Sequence, residues 1–289
     1  MALTVGQAFV KFLEGITVSD HFRDTVVPAR KRSVFDDLTA AFPASSDLPF
    51  WRTELIGSVS KRTAVKPIYD IDLLAVFSDE KDAWKKYKND SQAFLYRIRR
   101  SYDGYRTQQV GARGQAVRVF YKTFGHVDVA PVFSDGGGVY SLPSGAGGWI
   151  NTAPVAATQW FKKKNADSEF KLSQLVRMLK HWNAAHSSRL SSFHLETMAA
   201  STFSSMGPRR RDSLHFFFER ANGHLDVRDP GDQSGALSTY LGTSNRLEVL
   251  RSFDRAADQA HRAILAERDG NAEEAMRLWR IVLGPYFPT

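Results

Sequence analysis

Two aspartates separated by one residue, at the head of an apolar run, constrain this chain more than any other feature. They open the segment D-I-D-L-L-A-V-F, which begins at Asp70 and ends at Phe77. Because side chains alternate along a β-strand, Asp70 and Asp72 are expected to point to the same face of one strand. The apolar residues predict that this strand is buried, so both carboxylates would lie on a rigid element. Two converging carboxylates repel each other, and a divalent cation with oxygen ligands, such as Mg²⁺, relieves that repulsion.

A third carboxylate completes the set that a two-metal site needs. Asp128 stands alone among apolar residues in the segment H-V-D-V-A-P-V-F, which begins at His126. If this strand pairs beside the first, two metal ions roughly 3.5–4 Å apart would clamp the attacking and leaving oxygens of a phosphoryl transfer. The sequence therefore predicts Asp70, Asp72 and Asp128 as catalytic and metal-binding residues, with Mg²⁺ as the cofactor and Mn²⁺ as the alternative.

A Gly-Ser pair precedes the first two aspartates. Gly57 allows the backbone to approach a phosphate closely, and the Ser58 hydroxyl and neighbouring N–H groups can donate hydrogen bonds to it. The loop predicted over residues 59–67 carries Lys61, Arg62 and Lys66, which we expect to be available to phosphates.

The order of these motifs resembles the signature of the nucleotidyltransferase superfamily related to DNA polymerase beta. That signature is an apolar-Gly-Ser turn, a spacer, Asp-apolar-Asp and a distant third Asp. In this chain the spacer is residues 59–69, and Gly57, Ser58, Asp70, Asp72 and Asp128 match position by position.

The second half of the chain has a helical pattern that narrows the resemblance. The segments L-K-H-W-N from Leu179 and L-S-S-F-H-L-E from Leu190 are similar to the C-terminal helical lobe of the cGAS/DncV-like nucleotidyltransferases, or CD-NTases. The same type of lobe occurs in oligoadenylate synthetases. Further matches are Pro143, Trp149-Ile150, Thr152-Ala153-Pro154 and Asp229-Pro230.

This resemblance implies an α+β fold, in which a polymerase-beta-like catalytic lobe with a mixed sheet packs against a C-terminal helical lobe. We expect residues 1–150 to form the N-terminal helices and catalytic core, and residues 151–289 to form the helical lobe. Nucleotides would lie in the cleft, where Lys180 and Ser192 contact the donor triphosphate and Phe193 stacks on a base. Such stacking contributes about 1–3 kcal/mol per base, although the spacing of Phe193 also fits a core residue.

The function that the resemblance implies is synthesis of a cyclic di- or trinucleotide second messenger, with release of pyrophosphate, in anti-phage signalling. The substrates would be nucleoside triphosphates, namely ATP and GTP with UTP and CTP as alternatives, and a downstream effector would bind the product. One alternative is a linear oligonucleotide synthase of the oligoadenylate or poly(A) type. Another is a basic nucleic-acid-binding module with a vestigial site, against which the intact acidic set argues because unused buried acids are costly.

Composition limits the partners. The chain has 289 residues and a net charge of +8, which favours a polyanion but does not distinguish nucleoside triphosphates from nucleic acid. The sequence contains no cysteine, so it has no disulfide and no Cys-ligated zinc insertion of the DNA-sensing kind. We therefore expect no DNA partner. The absence of a long apolar run and of a signal-peptide pattern predicts a location in the cytoplasm, away from membranes. We also expect a monomer.

Several structural expectations follow from periodicity. We predict one helix over Asp79 to Arg100, a strand over Gln108 to Phe120, and a lobe-to-lobe crossing over Tyr140 to Trp149. His194 is expected to be a hydrogen-bonded structural histidine, and His126 to support Asp128 rather than to perform chemistry.

Overall fold

One mixed sheet occupies the first half of the chain in the computed structural model, which describes residues 3–68, 70–103, 114–123 and 125–288. Strand β2 pairs antiparallel with β1 and parallel with β4. Strand β4 also pairs antiparallel with β3 and β5, and β5 pairs antiparallel with β6. The strands are β1 (Phe50–Leu55), β2 (Asp70–Phe77), β3 (Val117–Phe120), β4 (His126–Ser134), β5 (Tyr140–Pro143) and β6 (Trp149–Thr152).

Helices cover the sheet and build the second lobe, which confirms the predicted α+β class. Among the described residues, no helix is long and apolar enough to cross a membrane. The helices are α1 (Val5–Ile16), α2 (Val27–Ala41), α3 (Gly57–Ser60), α4 (Ala83–Tyr87), α5 (Ser91–Arg100), α6 (Pro154–Asp167), α7 (Lys171–Ala185), α8 (Ser192–Thr202), α9 (Arg210–Arg220), α10 (Thr243–Arg268) and α11 (Ala272–Leu283).

The two faces of the sheet differ because side chains alternate along β2. Ile71, Leu73 and Phe77 are at most 1% exposed and lie in one core with residues of α2 and α5. On the opposite face, Leu74 and Val76 are buried in a small separate cluster. The buried strand that the sequence predicts is therefore present, and it holds the acidic end of β2 in place.

Helix α1 packs in the helical lobe, although it precedes the sheet in the chain. The Phe9 ring centroid lies 5.1 Å from the ring of Trp279 and 5.0 Å from that of Phe287, near the C-terminus. The division of the chain into two lobes after residue 150 stays a prediction. The contacts of Phe9 join α1 to residues of the helical lobe that lie after residue 150 in the chain.

Two of the predicted elements are wrong in extent. The helix predicted over Asp79 to Arg100 is two helices, α4 and α5, because the Asp90 carboxylate accepts a hydrogen bond from the Ala93 N–H and starts a new helix. The stretch predicted to cross between the lobes, Tyr140 to Trp149, instead forms β5 and the turn into β6, which widens the sheet.

The strand predicted over Gln108 to Phe120 is present as β3 from Val117 onward. Its first part, up to residue 113, lies outside the described residues.

Candidate active site

The parallel pairing of β2 with β4 brings the three predicted carboxylates to one end of the sheet. Asp72 lies directly opposite Asp128 in the register, and Asp70 lies opposite His126. Ligand atoms of Asp70, His126 and Asp128 all lie within 4.8 Å of one another. Asp72 is outside that group of three and is more buried than Asp70. The convergence predicted from the sequence is therefore present, with His126 added to it.

The crowding of these carboxylates changes the protonation of Asp72. Burial, together with the charges of Asp70 and Asp128, raises the pKa of Asp72 to about 6, although Lys61 and Lys180 act in the opposite direction. A carboxylate with a raised pKa is one whose negative charge lacks compensation. Oxygen donors in this arrangement fit a hard divalent cation such as Mg²⁺ or Mn²⁺.

Gly57 faces Asp72 across the turn between β1 and α3. Its φ is +69°, a left-handed conformation, and a Cβ atom there would lie 1.9 Å from Oδ2 of Asp72. The backbone before the turn is tied to the same strand, because the Ile56 N–H donates to the Asp72 carbonyl at 3.1 Å. Glycine is thus required at this position by both conformation and space.

Substituting Gly57 is expected to be costly for these two reasons. We predict that Gly57→Ala lowers the free energy of unfolding by about 1–3 kcal/mol and displaces Asp72. Urea denaturation measures the loss. The matched control is Gly15→Ala in α1, where a Cβ meets nothing within 4 Å; alanine there should stabilise the helix by about 0.5–1 kcal/mol. Equal stability of Gly57→Ala and wild type would contradict the assignment.

A buried ionic cluster joins the loop after Gly57 to the helical lobe. Glu196, on α8, is 2% exposed. Its Oε2 lies 2.5 Å from Nζ of Lys61, and its Oε1 lies 2.7 Å from Nζ of Lys180, on α7. The Thr63 hydroxyl also donates to Oε1 at 2.5 Å, and Lys180 donates to the Thr63 carbonyl at 3.1 Å.

This cluster corrects one expectation and qualifies another. The sequence predicts Lys61 on an open loop, but Lys61 is 7% exposed because it pairs with the buried Glu196. The other two predicted cations of this loop, Arg62 and Lys66, are exposed. Lys180 likewise faces Glu196, so its contact with a donor triphosphate stays a prediction. The roles of Ser58 and Ser192 also stay predictions: Ser58 is half-buried, and Ser192 is exposed at the start of α8.

A cleft of about 520 Å³ lies between the acidic end of the sheet and the helical lobe. Phe193 lines it together with Gly57, Lys61 and Asp72. The Lys61 Nζ lies 5.0 Å from the centroid of the Phe193 ring. Phe193 is half-buried rather than part of the core, which leaves part of its surface accessible from the cleft. Other residues that line the cleft include Thr152, Pro154, Asp229 and Ser234.

The two histidines have different surroundings. His194 is fully buried, with Nε2 2.7 Å from the Leu225 carbonyl and Nδ1 3.0 Å from the Tyr240 hydroxyl. Its predicted structural role is confirmed. His126 lies 3.6 Å from Asp128, between Nε2 and Oδ2, and its supporting role stays a prediction.

Sequence reasoning missed Glu196 and Arg118, the cation that pairs with Asp128 from β3. A signal existed for Glu196, which is the one acid in the buried run from His194 to Ala200; a buried acid requires a cationic partner. A weaker signal existed for Arg118, which alternates with the buried Val117 and Val119.

The mixed sheet, with a helical lobe beside its acidic end, is the fold of solved CD-NTase structures. More particularly, the family model described as the Second Messenger Oligonucleotide or Dinucleotide Synthetase domain matches residues 3–165, and this chain belongs to that family. The resemblance to the cGAS/DncV-like nucleotidyltransferases is thereby confirmed.

Individual relatives agree with this assignment. The chain is 26% identical over 269 residues to a probable cyclic nucleotide synthase of Bacillus cereus, covering 81% of each protein. It is 24% identical over 258 residues to the cyclic AMP-AMP-AMP synthase of an Acinetobacter species, covering 82% of this chain and 72% of that one. The structure of CdnC from E. coli MS115-1 with ATP has the same fold, with a TM-score of 0.80 at 18% identity over 99% of both chains.

Proposed function

We propose that this protein condenses ribonucleoside triphosphates into a cyclic di- or trinucleotide and releases pyrophosphate. The supporting observation is the convergence of Asp70, Asp72 and Asp128 at one end of the sheet, where Asp72 lines a cleft of about 520 Å³, in a chain of a second-messenger synthetase family. That volume lies in the range of small-molecule sites. ATP and GTP are the proposed substrates, with UTP and CTP as alternatives, and the relative named as a cyclic AMP-AMP-AMP synthase supports ATP among them.

The chain contributes positioning and electrostatics to this reaction. Asp70, Asp72 and Asp128 would hold the divalent cations, which when bound lower the pKa of the acceptor hydroxyl and neutralise the triphosphate. The hydroxyl oxygen then bonds to the α-phosphorus as the bond to pyrophosphate breaks. Gly57 leaves room for the phosphates, and Phe193 offers a ring for a base to stack on.

Four other side chains surround the substrate in this proposal. Lys61 supplies positive charge to the cleft from its buried position beside Phe193. Ser58, Lys180 and Ser192 are proposed to contact the donor triphosphate. Lys180 makes that contact only by sharing its ammonium group between Glu196 and the nucleotide, because its Nζ already lies 2.7 Å from Glu196.

The product decides between this function and its alternatives. Purified protein is incubated with the four ribonucleoside triphosphates and Mg²⁺ or Mn²⁺, treated with phosphatase, and analysed by mass spectrometry. A phosphatase-resistant cyclic product that Asp70→Asn does not make is the expected result. Linear, phosphatase-sensitive products would instead assign an oligoadenylate-type synthase. No product, together with no nucleotide binding by calorimetry, would contradict the proposal.

The proposed setting is bacterial anti-phage signalling. An effector would bind the cyclic product, and the enzyme would act as a cytoplasmic monomer that needs no DNA. Synthesis that appears only when double-stranded DNA is added would contradict the last point, and sedimentation of a dimer would contradict the monomer.

A further inference from the structure

Arg118 engages both oxygens of the third carboxylate. It lies on β3 directly opposite Asp128 on β4. Its Nε donates to Oδ1 at 2.8 Å, and its Nη2 donates to Oδ2 at 2.9 Å. Two parallel hydrogen bonds between a planar guanidinium and a carboxylate make a strong and directional ion pair.

We propose that Arg118 is a positioning residue that holds Asp128 until a divalent cation binds, and that it competes with that cation for the Asp128 oxygens. The proposal rests on the metal site proposed above. A cation at Asp128 needs oxygen lone pairs that the Arg118 N–H groups already occupy. The two positive charges also repel each other at this distance. Binding of the cation therefore displaces the Arg118 guanidinium from the Asp128 carboxylate.

The local structure suits such an exchange. Val117 and Val119 are fully buried, so β3 stays in register when Arg118 moves. The Arg118 side chain is 47% exposed, so its guanidinium can leave Asp128 for solvent without opening the core. The charges of Asp70 and Asp72 also attract Arg118 toward the site. The arginine thus reduces the acidic crowding at this site, where the His126 ring also lies 3.6 Å from Asp128.

Removing the arginine is expected to tighten metal binding. In nucleotide-free protein, Arg118→Gln should lower the dissociation constant for Mn²⁺ by about 3- to 10-fold, because the cation no longer displaces a bidentate ion pair. Arg118→Lys keeps the positive charge but loses the planar guanidinium that makes two parallel hydrogen bonds, so it should lower the dissociation constant by less. Electron paramagnetic resonance of free Mn²⁺ during a protein titration measures all three constants without any turnover.

Two controls separate this effect from general changes in charge. Arg246→Gln removes another bidentate pair, with Asp226, from an arginine that is 38% exposed; its Mn²⁺ affinity should equal that of wild type. Asp128→Asn should lose affinity, which places the bound Mn²⁺ at this site.

The outcomes are distinguishable. Unchanged affinity in Arg118→Gln and Arg118→Lys would overturn the competition and leave the metal site intact. Weaker affinity would overturn it as well, because Arg118 would then orient Asp128 for the metal. Absence of Mn²⁺ binding in wild type and in both Arg118 variants would overturn the proposed metal site, and this inference with it.

Discussion

Asp72→Asn is expected to lower cyclic-nucleotide synthesis by more than about 100-fold while it stabilises the metal-free protein at neutral pH. The loss of activity follows because Asp72 is a proposed direct metal ligand. Even the replacement of a residue that only supports a metal ligand lowers metal affinity or activity by about 10- to 100-fold. The gain in stability follows because its carboxylate is crowded by Asp70 and Asp128 and partly buried.

The sign of the pH dependence follows from the raised pKa. Burial and the neighbouring carboxylates raise the pKa of Asp72 to about 6 from the ordinary value of 3.8, so the folded protein holds this proton more tightly than the unfolded chain. The tighter proton binding of Asp72 therefore contributes to the free energy of unfolding. This contribution is complete below pH 3.8 and is lost as the pH rises through 6. At pH 8 the ionised carboxylate costs about 1–3 kcal/mol, which asparagine removes.

Urea unfolding in EDTA measures this difference. Asp72→Asn should be the more stable protein at pH 8, and its advantage should shrink as the pH is lowered toward 4. Excess Mg²⁺ should stabilise wild type and not the variant. Asp36→Asn, which removes an exposed carboxylate on α2, is the matched control and should show neither effect. Full activity of Asp72→Asn would exclude it as a metal ligand.

The second large effect is on stability. Glu196→Gln is expected to lower the free energy of unfolding by about 3–5 kcal/mol, because it leaves buried ammonium groups without their carboxylate. The side chains of Lys61 and Lys180 are each 8% exposed, and that of Glu196 is 3% exposed. A glutamine at this position can still accept a hydrogen bond from Thr63. The decrease in the free energy of unfolding therefore reports the loss of the negative charge.

The pH range of this effect differs from that of Asp72. Burial by itself would raise the pKa of Glu196, but the charges and hydrogen bonds of Lys180 and Lys61 outweigh it and lower the pKa to about 2. The stabilisation is therefore present above the ordinary pKa of 4.5 and is lost as the pH falls through 2. The difference between wild type and variant should stay constant from pH 8 to pH 5.

Glu274→Gln is the control for Glu196→Gln. It removes a glutamate from an exposed helical ion pair with Arg277 and should leave the free energy of unfolding unchanged. If Glu196→Gln lowered the free energy of unfolding by less than about 1 kcal/mol, the burial of Lys61 and Lys180 would not depend on Glu196.

The sequence by itself determined which side chains share a face. Alternation along an extended strand places Asp70 and Asp72 together, and the apolar run after them predicts a buried strand. These inferences hold because they depend on backbone period and conformation within a few residues.

The tertiary structure decided which faces meet. Three contacts join segments far apart in the chain: the register that places Asp128 beside Asp72, the buried ion pair between Glu196 and Lys61, and the packing of α1 against α11. A hydrophobic pattern states that a strand or helix is buried but does not specify its neighbour. The neighbour is selected by packing and charge compensation in the assembled core, which is why Lys61 faces Glu196 and Arg118 faces Asp128.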